Sequence, residues 1–192
     1  MRIIAGAWRG RRLLAPPGAA TRPTAERVRQ AVFDMLMHAP WGGAGRLAGA
    51  AVLDAFAGTG ALGLEALSRG AGSAIFLEPD LAARAALARN IAACEAGAKA
   101  RVLSASALAP PAGTPCALVF LDPPYGQGKL VPALAALAGA GWLEAGALVV
   151  AESARTEPRP PLPPGMAEEP LAERAHGAAR ITVWRVLGPS VQ

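Results

Sequence analysis

Val52-Leu53-Asp54-Ala55-Phe56-Ala57-Gly58-Thr59-Gly60-Ala61-Leu62-Gly63 decides the fold. The run begins apolar, breaks at closely spaced glycines and passes into Leu64-Glu65-Ala66-Leu67, all good helix formers. A strand, a tight glycine turn and a helix in that order bring backbone N–H groups to a helix N-terminus, where they face an anionic or polar ligand. Asp54 closes the strand just before the turn.

Outward from this unit the pattern alternates. Ala51–Phe56 is predicted as a strand, Ala61–Arg69 as a helix ended by Gly70, Ser73–Leu77 as a second strand and Asp80–Ala96 as a helix closed by Gly97. Ala100–Leu103 and Ala117–Leu121 follow as strands joined by the loop Pro110–Pro115. Leu130–Ala138 is the next helix and Ala147–Glu152 a fifth strand. Repeated βα units predict an α/β fold, a doubly wound, mostly parallel sheet covered by helices on both faces. Prolines 158, 160, 161, 163 and 164 make a stiff connector. In Arg180–Leu187, Ile181, Val183 and Arg185 alternate with Thr182, Trp184 and Val186, and no helix follows. This reads as a closing antiparallel strand on or near the sheet edge.

A length of 192 residues suits one ordinary domain with a small appendage, and 53% hydrophobic against 17% charged residues excludes a disordered chain. No window reaches the roughly 20 apolar residues of a membrane span, and Met1–Gly6 lacks a signal-peptide core. Cys94 and Cys116 have no metal-type spacing and are expected as buried, reduced thiols. A cytoplasmic monomer without a metal site or membrane contact is the expectation.

The N-terminal segment differs from the rest. Residues 2–5 and 11–14 flank Trp8-Arg9-Gly10 as the arms of a hairpin, ended by Pro16-Pro17-Gly18. Thr24 then suits an N-cap, with Glu26 in the first turn, and Val28, Ala31, Val32, Met35 and Leu36 share one helical face. Pro40 and the glycines at 42, 43 and 45 mark a boundary between a basic arm, 1–45, and a main domain, 46–192. Residues 1–29 hold seven arginines against the single acid Glu26, so the whole +5 net charge of the chain resides there. The asymmetry predicts an arm that binds a polyanion; the plainer alternative is a solvated surface. Arginine suits bidentate phosphate contacts and stacking on bases.

Ligands of open α/β sheets bind outside the carboxyl ends of the strands, and three signals sit there. Gly58 to Gly63 satisfies G-x-G-x-x-G, a spacing that plain strand–helix connections also show. Glu78 ends Ile75-Phe76-Leu77 twenty residues after Gly58, the distance expected of a carboxylate that accepts from ribose hydroxyls. Together they point to an adenosine-containing ligand. Finally, the apolar strand Ala117–Leu121 runs into Asp122-Pro123-Pro124-Tyr125. Two prolines stiffen the backbone and remove N–H donors, leaving carbonyl acceptors beside an aromatic ring. That combination suits a planar group with an exocyclic amine. A nicotinamide dehydrogenase would explain the glycines and Glu78 but neither Asp54 nor the tetrad, and no Gly-Lys-Ser/Thr is present for a P-loop.

Asp54-Ala55-Phe56-Ala57-Gly58-Thr59-Gly60, Glu78 and Asp122-Pro123-Pro124-Tyr125 resemble the motif set of class I S-adenosylmethionine-dependent methyltransferases acting on exocyclic amines of nucleic acids. Met1-Arg2-Ile3-Ile4-Ala5-Gly6-Ala7-Trp8-Arg9-Gly10-Arg11, Arg22-Pro23-Thr24 and Ala61–Gly70 further resemble the RsmD family of bacterial small-subunit (16S) ribosomal RNA guanine-N2 methyltransferases. The match runs in order from residue 1 to about 152 and is loose after Pro158.

The resemblance implies a Rossmann-like methyltransferase sheet and S-adenosylmethionine as cofactor. It implies that Asp54, Ala55 and the backbone around Gly58 and Gly60 hold the methionine part and that Glu78 binds the ribose. Asp122, Pro123, Pro124 and Tyr125 would hold the target guanine. Where such enzymes carry Asp or Asn towards the adenine, this chain offers Ser106. Arg2, Arg9, Arg11, Arg12, Arg22 and Arg27 would grip ribosomal RNA, free or in an assembling small subunit. Two alternatives remain. One is a DNA amino-methyltransferase acting on adenine N6 or cytosine N4; the other is a non-catalytic RNA-binding module with the same fold.

Overall fold

The alternating pattern folds into one seven-stranded sheet. The computed structural model describes residues 1–16 and 23–188. Its helices are α1 (Pro23–His38), α2 (Ala44–Leu47), α3 (Ala61–Ser68), α4 (Leu81–Ala93) and α5 (Leu130–Gly139). Its strands are β1 (Ala51–Asp54), β2 (Ser73–Leu77), β3 (Ala100–Leu103), β4 (Cys116–Leu121), β5 (Leu143–Ala154), β6 (Ala172–His176) and β7 (Ala179–Arg185). The strand order is β3-β2-β1-β4-β5-β7-β6. The first five strands pair in parallel, and β7 is antiparallel to both β5 and β6. From β1 the chain first builds outward through β2 and β3, then returns to start β4 on the other side of β1. The β1–β4 seam is therefore the switch point.

The two faces of the sheet bury different helices, as the period-two pleat requires. Val52, Phe76, Phe120, Val150 and Ile181 face α1, α3, α4 and the N-terminal arm. Leu53, Val119, Leu121 and Val149 face α5 and Trp142. Local signals explain the helix limits. The Asp80 side chain accepts from the Ala83 N–H at 2.7 Å and caps α4. Pro23 opens α1, where a missing N–H costs nothing. The expected cap at Thr24 thus falls inside the helix bounds; its side chain, like Arg22, lies outside the described residues.

The arm pairs across Arg2 and Arg12, with Ile3 N–H donating to the Arg11 carbonyl at 2.9 Å and Leu13 N–H to the Met1 carbonyl at 3.0 Å. Ile3 and Leu13 belong to the same core as Phe33 and Phe76. Buried Glu65 of α3 accepts from the Ile4 and Ala5 N–H groups at 2.7 and 3.0 Å. It also meets Arg69 at 2.8 Å and Arg29 at 3.7 Å, both largely buried. Cys94 and Cys116 are buried free thiols.

The closing strand is antiparallel and near the edge, as read. Two elements were not foreseen, the first being β6, which pairs along the outer side of β7. Its sequence, Ala172-Glu173-Arg174-Ala175-His176, reads as polar loop because an edge strand leaves side chains to solvent and charges there discourage pairing with another chain. Inside the expected linker, Ala44–Leu47 forms a single helical turn that buries Leu47.

Candidate active site

Strand register brings the acids together. Asp54 stands beside Phe120 on the β1–β4 seam, and Leu121 stands beside Ala151 on β4–β5. Side chains alternate faces, so Asp122 and Glu152 project on the same face as Phe120, Val150 and Asp54. All three carboxylates thus reach the α1 side of the sheet at its carboxyl end. They line one cleft with Gly58 and Thr59, and Arg29 of α1 lines it too.

Their protonation reflects crowding. Asp54 is 2% exposed and accepts from the Gly63 N–H at 3.0 Å. Burial pushes its carboxyl up to about 7, with Glu78 adding to the rise and the Gly63 hydrogen bond opposing it. Asp122 opens onto the cleft, although protein packs densely round its base. Desolvation raises its carboxyl, and the negative charges of Glu152 and Asp54 raise it further. Burial likewise raises Glu152, against the hydrogen bond its Oε1 accepts from the Tyr125 hydroxyl. Arg29 is the one basic residue lining the cleft among those described, and its guanidinium is committed to the Arg2 carbonyl at 2.5 Å and to Glu65. The site therefore favours a cationic ligand and groups that donate hydrogen bonds.

The glycine turn is built for closeness. Gly60 has φ +80°, and a Cβ there would lie 2.3 Å from Leu87 Cδ1. At Gly63 a Cβ would lie 2.3 Å from the Phe76 ring, so that glycine lets α3 press against β2. Gly58 N–H donates to Glu78 Oε2 at 2.7 Å and Asp80 N–H to Oε1 at 2.8 Å. Glu78 is thereby fixed beside the turn at the end of β2. The Ala55 N–H donates to the Phe120 carbonyl at 3.0 Å and stitches the seam below the site.

Not every sequence-predicted residue reaches this cleft. Asp54, Gly58 and Asp122 line it; Pro123 is buried beneath the loop, while Pro124 and Tyr125 are exposed above it. Ser106 sits in the loop after β3, outside the cleft lining, its hydroxyl oxygen accepting from the Leu108 N–H at 3.1 Å. Arg2, Arg9 and Arg27 surround a separate groove of about 330 Å³ with Glu26 and Gln30. Arg12 is exposed. Arg11 instead docks the arm, donating to the Ala93 carbonyl at the end of α4 and lying 3.8 Å from Glu95.

Sequence reasoning passed over Glu152, Arg29 and Asn90. Fully buried Asn90 donates to the Thr59 carbonyl at 2.9 Å and to the Leu14 carbonyl at 3.0 Å, and accepts from the Leu14 N–H at 2.7 Å. It ties the glycine turn to the arm. Its signal was a polar residue continuing the buried stripe Ala83, Ala86, Leu87. Glu152 carried the same signal as Asp54 and Asp122, an acid ending an apolar run.

The family described as conserved hypothetical protein 95 matches residues 1–185. The chain is 43% identical over 155 residues to Ribosomal RNA small subunit methyltransferase D of Escherichia coli strain K12, covering 80% of this chain and 74% of that one. It is 36% identical over 163 residues to the protein of the same name from Haemophilus influenzae, covering 82% and 81%. The solved structure of yhhF from Escherichia coli superposes with a TM-score of 0.83 at 35% identity, covering 98% of this chain and 99% of that one.

Proposed function

The chain belongs to the conserved hypothetical protein 95 family, the RsmD family, and from that premise we propose that it transfers the methyl group of S-adenosylmethionine to the exocyclic N2 amine of a guanine in small-subunit ribosomal RNA. The observation that carries this reading is the set of carboxylates Asp54, Asp122 and Glu152 on one sheet face at the switch point, beside the glycine turn. Their crowding suits a ligand with positive charge, and S-adenosylmethionine carries a sulfonium and an ammonium. Glu78 fits its ribose: each carboxylate oxygen already accepts one backbone N–H, and the lone pairs that remain can take hydroxyl donors.

The cofactor supplies a methyl group already activated on sulfur, so the protein's task is orientation. A guanine amine is a poor nucleophile because its lone pair is delocalised into the ring. Hydrogen bonds from that amine to the Asp122 carboxylate and the Pro123 carbonyl turn it towards tetrahedral geometry and aim the lone pair. Tyr125 stacks on the base. The Asp122 carboxyl, raised by its surroundings, is suited to receive the proton the amine sheds, directly or through water. The base enters from an unpaired or unstacked position.

Residues 1–45 serve as the RNA-binding arm of the methyltransferase domain, 46–192. Arg2, Arg9 and Arg27 around their groove, with exposed Arg12, favour contacts to phosphates. The substrate is ribosomal RNA or a partly assembled small subunit, met in the cytoplasm.

Labelled methyl transfer to both substrates, followed by nucleoside analysis, tests the reading. N2-methylguanosine is the expected product. N6-methyladenosine or N4-methylcytosine would move the assignment to another amino-methyltransferase. Cofactor binding without transfer to any RNA would leave a non-catalytic module.

A further inference from the structure

Glu152 stands next to Asp122 on the adjoining parallel strand, one residue beyond the Leu121–Ala151 pair, where neighbouring strands run roughly 4.8 Å apart. Both side chains line the cleft. Asp54 lines the same cleft but is 2% exposed and already accepts the Gly63 N–H. Tyr125 donates its hydroxyl to Glu152 Oε1, which ties the exposed ring to the second carboxylate.

An ionised carboxylate accepts hydrogen bonds and donates none. Two of them side by side make an acceptor–acceptor surface when both are ionised, a state that their burial and mutual repulsion disfavour in the free protein and that two donors bound across them restore. Among the four RNA bases, guanine alone presents two adjacent donors on its pairing edge, N1–H and the N2 amine. Adenine sets its amine beside a bare N1, cytosine sets its amine beside a bare N3, and uracil has one N–H between two carbonyls.

We propose that Glu152 is the specificity-determining residue of this enzyme, accepting the N1–H of the target guanine while Asp122 accepts from the N2 amine. The inference rests on the reading of Asp122 to Tyr125 as the guanine pocket. A carboxylate offers about four lone-pair sites, so Glu152 holds the Tyr125 hydroxyl and the N1–H together. Burial raises both carboxyls, and a two-donor base edge is the partner that relieves it. A base with a bare ring nitrogen would instead place its lone pair against the Glu152 charge, the arrangement by which a polar site rejects an analogue most strongly.

The test replaces the methylated guanine of the substrate RNA with 2-aminopurine, which keeps the N2 amine but carries a bare N1. Wild type, Glu152→Gln and Glu152→Ala are compared on both RNAs. Wild type should favour guanine by about a hundredfold or more in kcat/KM. Glu152→Gln, whose amide can donate to a bare N1, should narrow that ratio by about tenfold or more while S-adenosylmethionine binds as before. Glu152→Ala should lose turnover on guanine and gain none on 2-aminopurine. An unchanged ratio in Glu152→Gln overturns the proposal, as does a loss of cofactor affinity that accounts for the loss of turnover. Nucleoside analysis of the wild-type product separates the two failures. A product other than N2-methylguanosine removes the guanine reading itself; N2-methylguanosine with an unchanged ratio removes only the role of Glu152.

Discussion

At the residue scale, the candidate site gathers carboxyls raised above their ordinary range. Asp122→Asn keeps the size of the side chain but removes its charge and its capacity as a proton acceptor. Turnover should fall by about a hundredfold or more, with cofactor binding intact in calorimetry; undiminished turnover would end the assignment of Asp122. Asp54 makes a prediction about pH. Its carboxyl titrates from an ordinary 3.8 to about 7 in the folded protein. Between those values the folded chain keeps a proton that the unfolded chain has lost, so stability falls as pH rises through that window. Raised Asp122 and Glu152 act in the same direction. Urea midpoints of the free protein should therefore decline from about pH 4 to 7, and Asp54→Asn should flatten the decline. Asp54, Glu78 and Asp122 were legible because each acid ends an apolar run and meets a glycine or proline within a few residues. Glu152 ends such a run too, but Ser153 and Ala154 continue its strand against β7, and no turn residue marks it.

At the element scale, α3 does more than its sequence discloses. In Leu64-Glu65-Ala66-Leu67 the glutamate reads simply as a helix former. Its burial is set by a segment sixty residues upstream, which lays Ile4 and Ala5 across it. Arg69, one turn later, bonds Glu65 and stacks its guanidinium 4.7 Å from the Phe33 ring centre. Removing the anion would strand two largely buried cations. Glu65→Ala should cost about 3–5 kcal/mol in equilibrium unfolding, whereas a cost typical of surface positions would show the triad to be incidental. Helices and strands of the βα units were legible because their period and their glycine stops are local. β6 was not, since its pairing partner β7, not its own pattern, makes it a strand.

At the scale of the whole molecule, the fold sets a basic arm against an acidic cleft. On the proposed function, RNA is drawn to one and the methyl donor to the other. Arg9, Arg12 and Arg27 are the exposed arm cations that have no ion pair among the described residues, unlike Arg2 and Arg11. Replacing all three with Gln should weaken RNA binding and lower the slope of log K against log salt by roughly 0.7–0.9 for each phosphate no longer neutralised. An unaltered slope would return the arm to an ordinary solvated surface. That the arm is charged was plain from its arginines. That Arg11 and Arg29 are spent on holding it in place was not, because their partners lie on α3 and α4.

The docking of that arm has a kinetic side. Although Arg2–Arg12 is its one β-bridge among the described residues, its amides at Ile4, Ala5, Trp8 and Leu14 donate to side chains of Glu65, Ser68 and Asn90, and Ala7 donates to the Ser68 carbonyl. Lifting it off would expose Glu65, Asn90 and the apolar surface beneath Ile3 and Leu13 in a single event. Local fraying would thus be replaced by opening of the core, which would place these amides in a cooperative unit with it. Hydrogen–deuterium exchange should find them protected alongside β1 and β4, far above the level of an ordinary loop; exchange within seconds would mean that the arm opens on its own.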